Sequence, residues 1–293
     1  MNSQVRHFPH FYIYDTGKHA SDHQYKYGDY DFQNDKIIKQ RETDIEKTFL
    51  SSVTDTIKSL RADKAGVIIY IHGFQGDNKF FVQSSGFIIQ RNVFDHPEHR
   101  YGMGISLQWK SSLAYQDAVL TALEKGAQMA PIIDSLYRII RQYHHHAPVS
   151  ILCHSMGNRV WQGLYEQWIN INQEFYLENV LMFAPDLEAD IFETNFESIE
   201  KHCGQIHIYH NLTDRTLQMA NAMKEHKRLG IYGPMVDSNK PPFSNELLIK
   251  MKIRNVTDIK DEETFAGKLS LHRYYYGSPS IRKEIVEILS GKF

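Results

Sequence analysis

Ser155 is the residue whose setting predicts chemistry most directly, because it lies between an apolar run and a helical pattern. The run Ile151-Leu152-Cys153-His154 is typical of a buried strand, and apolar residues at helical spacing follow the serine. A serine on such a strained turn presents its hydroxyl above the strand end, and the next backbone N–H, that of Met156, can face an oxyanion. The turn needs small residues two positions to either side. Gly157 meets this need, whereas Cys153 stands where glycine is usual. The spacing predicts a nucleophile elbow at Ser155.

A second loop could complete the oxyanion site. The strand pattern Ile69-Tyr70-Ile71 runs into His72-Gly73-Phe74. Where such a loop precedes an elbow in the chain, its backbone supplies a second N–H to the oxyanion. We assign this donor to Phe74, with Gly73 permitting close approach of the backbone. The loop alone is a weak signal, because many strands end in glycine, but its order relative to Ser155 strengthens it.

A serine nucleophile also needs an acid that follows it in the chain. Two aspartates follow predicted strands: Asp186 comes after 180–184, and Asp214 comes after 205–209. If the run Val67–Ile71 is the third strand, Asp214 follows the seventh strand, which is where the acid usually lies in enzymes with a nucleophile elbow. Asp214 is therefore the predicted acid and Asp186 the alternative. Asp214 could also cap the helix that begins after it, and the two roles can coexist.

The histidine base should come last in this order. His272 is the candidate because it follows the last predicted strand and precedes a closing helix at 280–289. The chain has 16 histidines, so a histidine in a loop proves little without this position. His226 also lies downstream, but its helical setting favours a surface role.

The elements around these residues alternate between strand and helix patterns. This alternation predicts βαβ units, a mainly parallel sheet and helices on both faces. No repeat or linker divides the chain, so we predict one α/β domain over residues 1–293. Predicted strands lie at 5–14, 25–32, 65–71, 105–109, 149–153, 180–184, 205–209 and 247–253. Two helical stretches are predicted between 113 and 142, with Pro131 as a kink or a fresh start.

Composition narrows the classes of protein further. The 293 residues carry 33 basic and 35 acidic side chains, a net charge of -2, which gives no basic footprint for nucleic acid and no polybasic membrane anchor. The longest apolar runs are too short to span a bilayer, and the polar start of the chain lacks the pattern of a signal peptide. The two cysteines are too few for a disulfide framework. We therefore expect a cytoplasmic protein.

Cofactor and metal motifs are missing from the sequence. It contains no phosphate-binding G-x-x-x-x-G-K-[ST] and no G-x-G-x-x-G after a strand. The cluster His144-His145-His146 has no spaced carboxylate or cysteine partner, and adjacent histidines cannot all face one ion. We expect a solvated helix end there, and neither a cofactor nor a metal in the site.

Taken together, these motifs resemble the α/β-hydrolase superfamily, and more narrowly a bacterial α/β-hydrolase family of unknown function with an H-S-M-G-N-R elbow. The resemblance covers about residues 65–280. It implies a Ser-His-Asp triad and an eight-stranded sheet, but no substrate. Lys110 stands where proline would be expected. The residues that carry the resemblance are His154 to Val160, His72-Gly73-Phe74, Tyr115, Asp117, Ala118, Ala184-Pro185-Asp186, Asp214, Arg215, Leu217, His272 and Tyr275.

The expected function is a serine hydrolase of the esterase, lipase or thioesterase type that acts on a small-molecule acyl substrate. Two alternatives stay open at this point: an acyltransferase with the same triad, and a non-catalytic binding protein on a hydrolase scaffold, which Cys153 favours. The segment 77–103, rich in phenylalanine and isoleucine, could line the acyl pocket or be an ordinary packed helix. The oligomeric state is left open.

Overall fold

The computed structural model describes most of the chain, including all the predicted triad and oxyanion residues. Of the segment 77–103, for which pocket lining and an ordinary packed helix were both left open, residues 77–85, 87 and 97 lie outside the described part. The described residues are 8–17, 24–33, 36–74, 86, 88–96, 98–112, 114–222, 226–236, 239, 243–263, 268 and 270–292.

Nine strands of the described chain form one sheet, in the spatial order β3-β2-β1-β5-β4-β6-β7-β8-β9. From β1 to β9 in that order, neighbouring strands run parallel. The strands β2 and β3 extend the sheet beyond β1 as antiparallel neighbours. Their bounds are β1 His10–Asp15, β2 Tyr25–Gln33, β3 Lys36–Thr43, β4 Gly66–Ile71, β5 Tyr101–Trp109, β6 Val149–His154, β7 Leu177–Phe183, β8 Cys203–His210 and β9 Met251–Asn255.

The predicted α/β fold class is confirmed, although the sheet has nine described strands instead of eight. The strand that the sequence analysis did not predict is β3. Its sequence, KIIKQRET, is mostly polar and lacks the apolar run of a buried strand. An antiparallel strand at the edge of a sheet needs no such run, because it is not covered on both faces. Because of this extra strand, Ser155 follows the sixth strand along the chain and Asp214 follows the eighth. Both positions are one strand later than the sequence count gave.

Helices occupy the predicted positions 113–142 and 280–289, but two elements differ in detail from the prediction. Residues 115–143 form one continuous helix that contains Pro131, where two stretches were considered. The last strand begins at Met251 after a short helix, and not at Leu247. Among the described residues, the α-helices numbered in chain order are α1 Glu46–Ser59, α2 Tyr115–Tyr143, α3 Gly157–Ile171, α4 Arg215–Ala222, α5 Leu229–Tyr232, α6 Asn245–Lys250, α7 Tyr274–Gly277 and α8 Pro279–Leu289.

Apolar clusters on both faces hold the helices to the sheet. On one face α1, α2 and α3 bury residues such as Phe49, Ile133 and Trp161. On the other face, α8 buries Ile281 and Ile285 against the strands. Strand β4 is buried at all six of its residues, as a central parallel strand should be. Within the described residues, no helix is both long enough and apolar enough to cross a bilayer.

The parallel strands bring the predicted site residues to one edge of the sheet. The loops after β4, β6 and β8 begin at the carboxyl ends of neighbouring or nearby strands and carry Gly73, Ser155 and Asp214. Ligands of open α/β sheets bind outside this edge.

Candidate active site

Ser155 occupies the sharp turn between β6 and α3. Its φ is 53°, in the left-handed region that residues other than glycine rarely adopt. Both the N–H and the carbonyl of Ser155 are hydrogen-bonded, which holds the turn in place. Ser155 N–H donates to the Phe183 carbonyl (2.9 Å), and the Ser155 carbonyl accepts from Asn158 Nδ2 (3.0 Å) and from the Asp186 N–H (3.2 Å). Such a strained position persists only where the surroundings fix it, and it is common at functional sites.

Two glycines let the neighbouring backbone approach this turn. A Cβ on Gly157 would lie 2.5 Å from the His72 carbonyl oxygen, so the start of α3 packs directly on the end of β4. A Cβ on Gly73 would lie 2.8 Å from the Ser155 Cβ. Both contacts are closer than real Cβ atoms make. The predicted need for small residues at 73 and 157 therefore has a steric cause.

The His72 ring fixes the peptide that joins Gly73 to Phe74. Its Nδ1 donates to the Gly73 carbonyl (2.8 Å), and its Nε2 accepts from the Trp109 N–H (3.2 Å). Burial lowers the pKa of His72 to about 4, so the ring is neutral, as this pair of bonds requires. In a trans peptide the C=O and N–H point in opposite directions. The Phe74 N–H is therefore directed away from the His72 ring.

His272 is joined to Asp214. Its Nδ1 donates to Asp214 Oδ2 at 2.7 Å, and both side chains are buried, with Asp214 fully so. The other carboxylate oxygen of Asp214 accepts from the Leu217 N–H (3.0 Å) in the first turn of α4. The same aspartate thus contacts the histidine and caps the helix.

Asp186, the alternative acid, has different partners. Tyr115 Oη lies 2.8 and 2.7 Å from its two oxygens, and Arg228 Nε lies 3.4 Å from Oδ1. Arg228 is fully buried and also contacts Glu188. Asp186 is therefore part of a buried charge network behind the elbow, and its backbone N–H supports Ser155.

The segment that carries His272 is tied to the elbow and to β8. His154 Nε2 donates to the His272 carbonyl (3.2 Å), and Asn211 Nδ2 donates to the Leu271 carbonyl (3.0 Å). Among the described residues, the Ser155 hydroxyl has no hydrogen-bond partner. Catalytic hydrogen bonds are often long before substrate binds. The two segments are close, since the His154 and His272 ring centroids lie 4.7 Å apart.

Cys153 belongs to the core. It is fully buried in β6, and burial raises the pKa of its thiol well above 9.0. The elbow turn forms with cysteine in the place of glycine, so this departure does not prevent the left-handed conformation of Ser155.

Two further sequence features can be placed where the structure describes them. The described part of segment 77–103 includes a buried π-helical turn, Gln90–Phe94, and the start of β5. His144 Nε2 donates to the Ile57 carbonyl (2.8 Å) at the end of α2. Within the described part of the chain, no group of three or more potential metal ligands could hold an ion.

Sequence reasoning missed the residues that support the predicted ones. His72 and His154 flank the glycine and the serine directly, and Asn211 lies three residues before Asp214. Adjacency to a predicted site residue was the available signal. It does not reveal which backbone group a side chain will contact, because that depends on the distant segments that pack beside it.

Comparisons with known proteins agree with this architecture. The model of the family described as alpha/beta hydrolase of unknown function (DUF900) matches residues 48–290, which include the elbow, the His72–Phe74 loop, both aspartates and His272. A comparison with curated proteins gives no match. Since the matched residues make up most of the chain, it belongs to this family of alpha/beta hydrolases of unknown function.

Proposed function

We propose that this protein is a serine hydrolase that cleaves a carboxylic ester or related acyl bond through an acyl-serine intermediate. The observation that carries the proposal is the 2.7 Å bond between His272 Nδ1 and Asp214, in a segment whose backbone is hydrogen-bonded to the residue before Ser155. An acid, a histidine and a left-handed serine at one sheet edge suit acyl transfer to the serine.

In this proposal Ser155 Oγ attacks the acyl carbonyl and His272 Nε2 accepts the hydroxyl proton. Asp214 keeps the other proton on Nδ1, so that Nε2 has a free lone pair, and it stabilises the imidazolium that forms. His272 then protonates the leaving group. Water activated by the same histidine hydrolyses the acyl-serine.

Two backbone N–H groups would stabilise the oxyanion. Met156 precedes α3, where the first N–H groups of a helix have no partner within it and the helix dipole favours negative charge. Phe74 is the second donor, because the His72 ring holds its peptide with the N–H directed away from that ring. Each donor of this kind contributes about 3 to 4 kcal/mol to the transition state.

A panel of p-nitrophenyl esters of increasing chain length tests the proposal and indicates the acyl length that the site prefers. We expect turnover by the unmodified protein and none by Ser155→Ala. A matched control is Ser52→Ala, which removes an exposed hydroxyl on α1 and should leave turnover unchanged. Equal hydrolysis by Ser155→Ala would contradict the proposal. Adding a competing alcohol and analysing the products separates hydrolysis from acyl transfer.

A further inference from the structure

His154 contacts three parts of the candidate site at once. It directly precedes Ser155, and its Nδ1 would lie 3.1 Å from a Cβ on Gly73. Its Nε2 donates to the His272 carbonyl, and its ring stacks on Tyr275 with centroids 4.5 Å apart. The Tyr275 hydroxyl is hydrogen-bonded to the Tyr70 hydroxyl (3.0 Å). The ring is therefore fixed between the elbow and the segment that carries the histidine.

The contact with the His272 carbonyl settles where the His154 proton lies. A carbonyl can only accept, so Nε2 carries the hydrogen. Burial, and next the neighbouring His272, lower the pKa of His154 well below 6.5, and the ring is neutral at physiological pH. A charged ring here would repel His272 when that residue takes up a proton. The neutral form donates a hydrogen bond without this repulsion.

The backbone beside His272 is strained and needs such support. Leu271 has a φ of 55°, in the left-handed region that is costly for a residue with a branched side chain. Two side chains from the ends of separate strands hold successive carbonyls of this segment. Asn211, after β8, donates to the Leu271 carbonyl (3.0 Å), and His154, at the end of β6, donates to the His272 carbonyl (3.2 Å).

We propose that His154, assisted by Asn211, is a positioning residue that holds His272 in register with both Ser155 and Asp214. The inference rests on the proposed hydrolase function, in which His272 must reach two partners at once. Because His154 is adjacent to the nucleophile in the chain, its bond to the His272 carbonyl ties base and nucleophile directly together. Displacing a catalytic group by about 1 Å can cost about 100-fold in rate.

Two substitutions separate the hydrogen bond of His154 from its ring packing. His154→Phe keeps an aromatic ring against Tyr275 and removes the donor, whereas His154→Gln keeps a donor at similar reach and removes the ring. We expect His154→Phe to lower kcat about 100-fold with little change in KM, and His154→Gln to recover to within about tenfold of the parent. His146→Phe, at an exposed histidine beyond the end of α2, is the matched control and should leave kcat unchanged.

An NMR measurement reads the position of His272 without any turnover. The proton shared by His272 Nδ1 and Asp214 should give a downfield resonance in the unmodified protein, in Ser155→Ala and in His146→Phe. It should broaden or vanish in His154→Phe and return in His154→Gln. A parent-like kcat and resonance in His154→Phe would overturn the positioning role. The expected resonance pattern in a protein without ester turnover would instead refute the hydrolase function while supporting the positioning of His272.

Discussion

Asn substitutions at the two candidate acids should have opposite consequences. Asp214 uses both carboxylate oxygens, one for His272 Nδ1 (2.7 Å) and one for the Leu217 N–H (3.0 Å). An asparagine has only one oxygen, so one of these two donors must face its NH₂ group. If the oxygen stays at Leu217, the amide favours the His272 tautomer with its proton on Nε2. That tautomer cannot accept the Ser155 proton.

The energies decide which arrangement of Asp214→Asn prevails. Turning the amide oxygen to His272 would leave the buried Leu217 N–H against a second donor, at a cost of about 1 to 3 kcal/mol. The wrong histidine tautomer is therefore favoured, and the amide also lacks the charge that stabilises the imidazolium. The equivalent change in a well-studied triad lowers kcat about 10⁴-fold. We expect a loss of at least about 10³-fold here, with little loss of folding stability.

Asp186→Asn should instead weaken the fold and spare catalysis. Its carboxylate accepts from Tyr115 and faces the fully buried Arg228, which keeps a second contact with Glu188. Breaking a buried ion pair costs about 3 to 5 kcal/mol, and the remaining partner should limit the loss to about 2 kcal/mol. We expect kcat to change by less than about tenfold, since no bond to His272 is lost.

Both variants can be compared by kcat on a p-nitrophenyl ester and by the free energy of unfolding in urea. The reasoning is refuted if Asp186→Asn is the inactive protein and Asp214→Asn turns over normally. If both variants were folded but inactive, the buried network at Asp186 would also control the chemistry.

Three further outcomes follow from the packing and burial of other described residues. Gly73→Ala should lower kcat more than about 100-fold, because a Cβ 2.8 Å from the Ser155 Cβ forces the Phe74 peptide away; a parent-like rate would contradict the tight packing. Burial lowers the pKa of His10 to about 3 and those of His72 and His207 to about 4. Between pH 6.5 and about 4, the unfolded chain therefore binds more protons than the folded one. As the pH falls through this range, each of these histidines should lower the free energy of unfolding by up to about 1.4 kcal/mol per pH unit. Urea unfolding at several pH values tests this, and a free energy of unfolding that does not change with pH would contradict it. Asn211→Ala should lower kcat about tenfold, because His154 still donates to the His272 carbonyl. An unchanged kcat would argue against support at the Leu271 carbonyl.

The central part of the fold could be predicted from sequence because its signals are local. The run Val67 to Ile71 is apolar without interruption, and the helix after Ser155 begins with regular spacing. The edge strand β3 was missed because its polar sequence carries no burial pattern. The start of β9 was misplaced because the preceding helix, Asn245–Lys250, supplies apolar residues that resemble a strand.

The candidate site likewise contains residues that could be identified from sequence and contacts that could not. Ser155, Asp214 and His272 could be selected from chain order and strand ends, without knowledge of packing. The hydrogen bonds made by His72, His154 and Asn211 could not, because each joins segments that are distant in the chain or depends on the direction of a single peptide. The bond from Asp214 to the first turn of α4 could also be predicted, since aspartate is a common first residue before a helix.

The claim that Ser155 is an activated nucleophile is tested most directly by labelling with a fluorophosphonate probe, followed by mass spectrometry of the modified peptide. The probe reacts with a serine whose hydroxyl is activated by a neighbouring base, and Cys153 is buried with a raised thiol pKa. We expect one modified residue, Ser155, no labelling in Ser155→Ala, and slow labelling in Asp214→Asn. An unlabelled parent protein, or persistent labelling of Ser155→Ala at another residue, would contradict it.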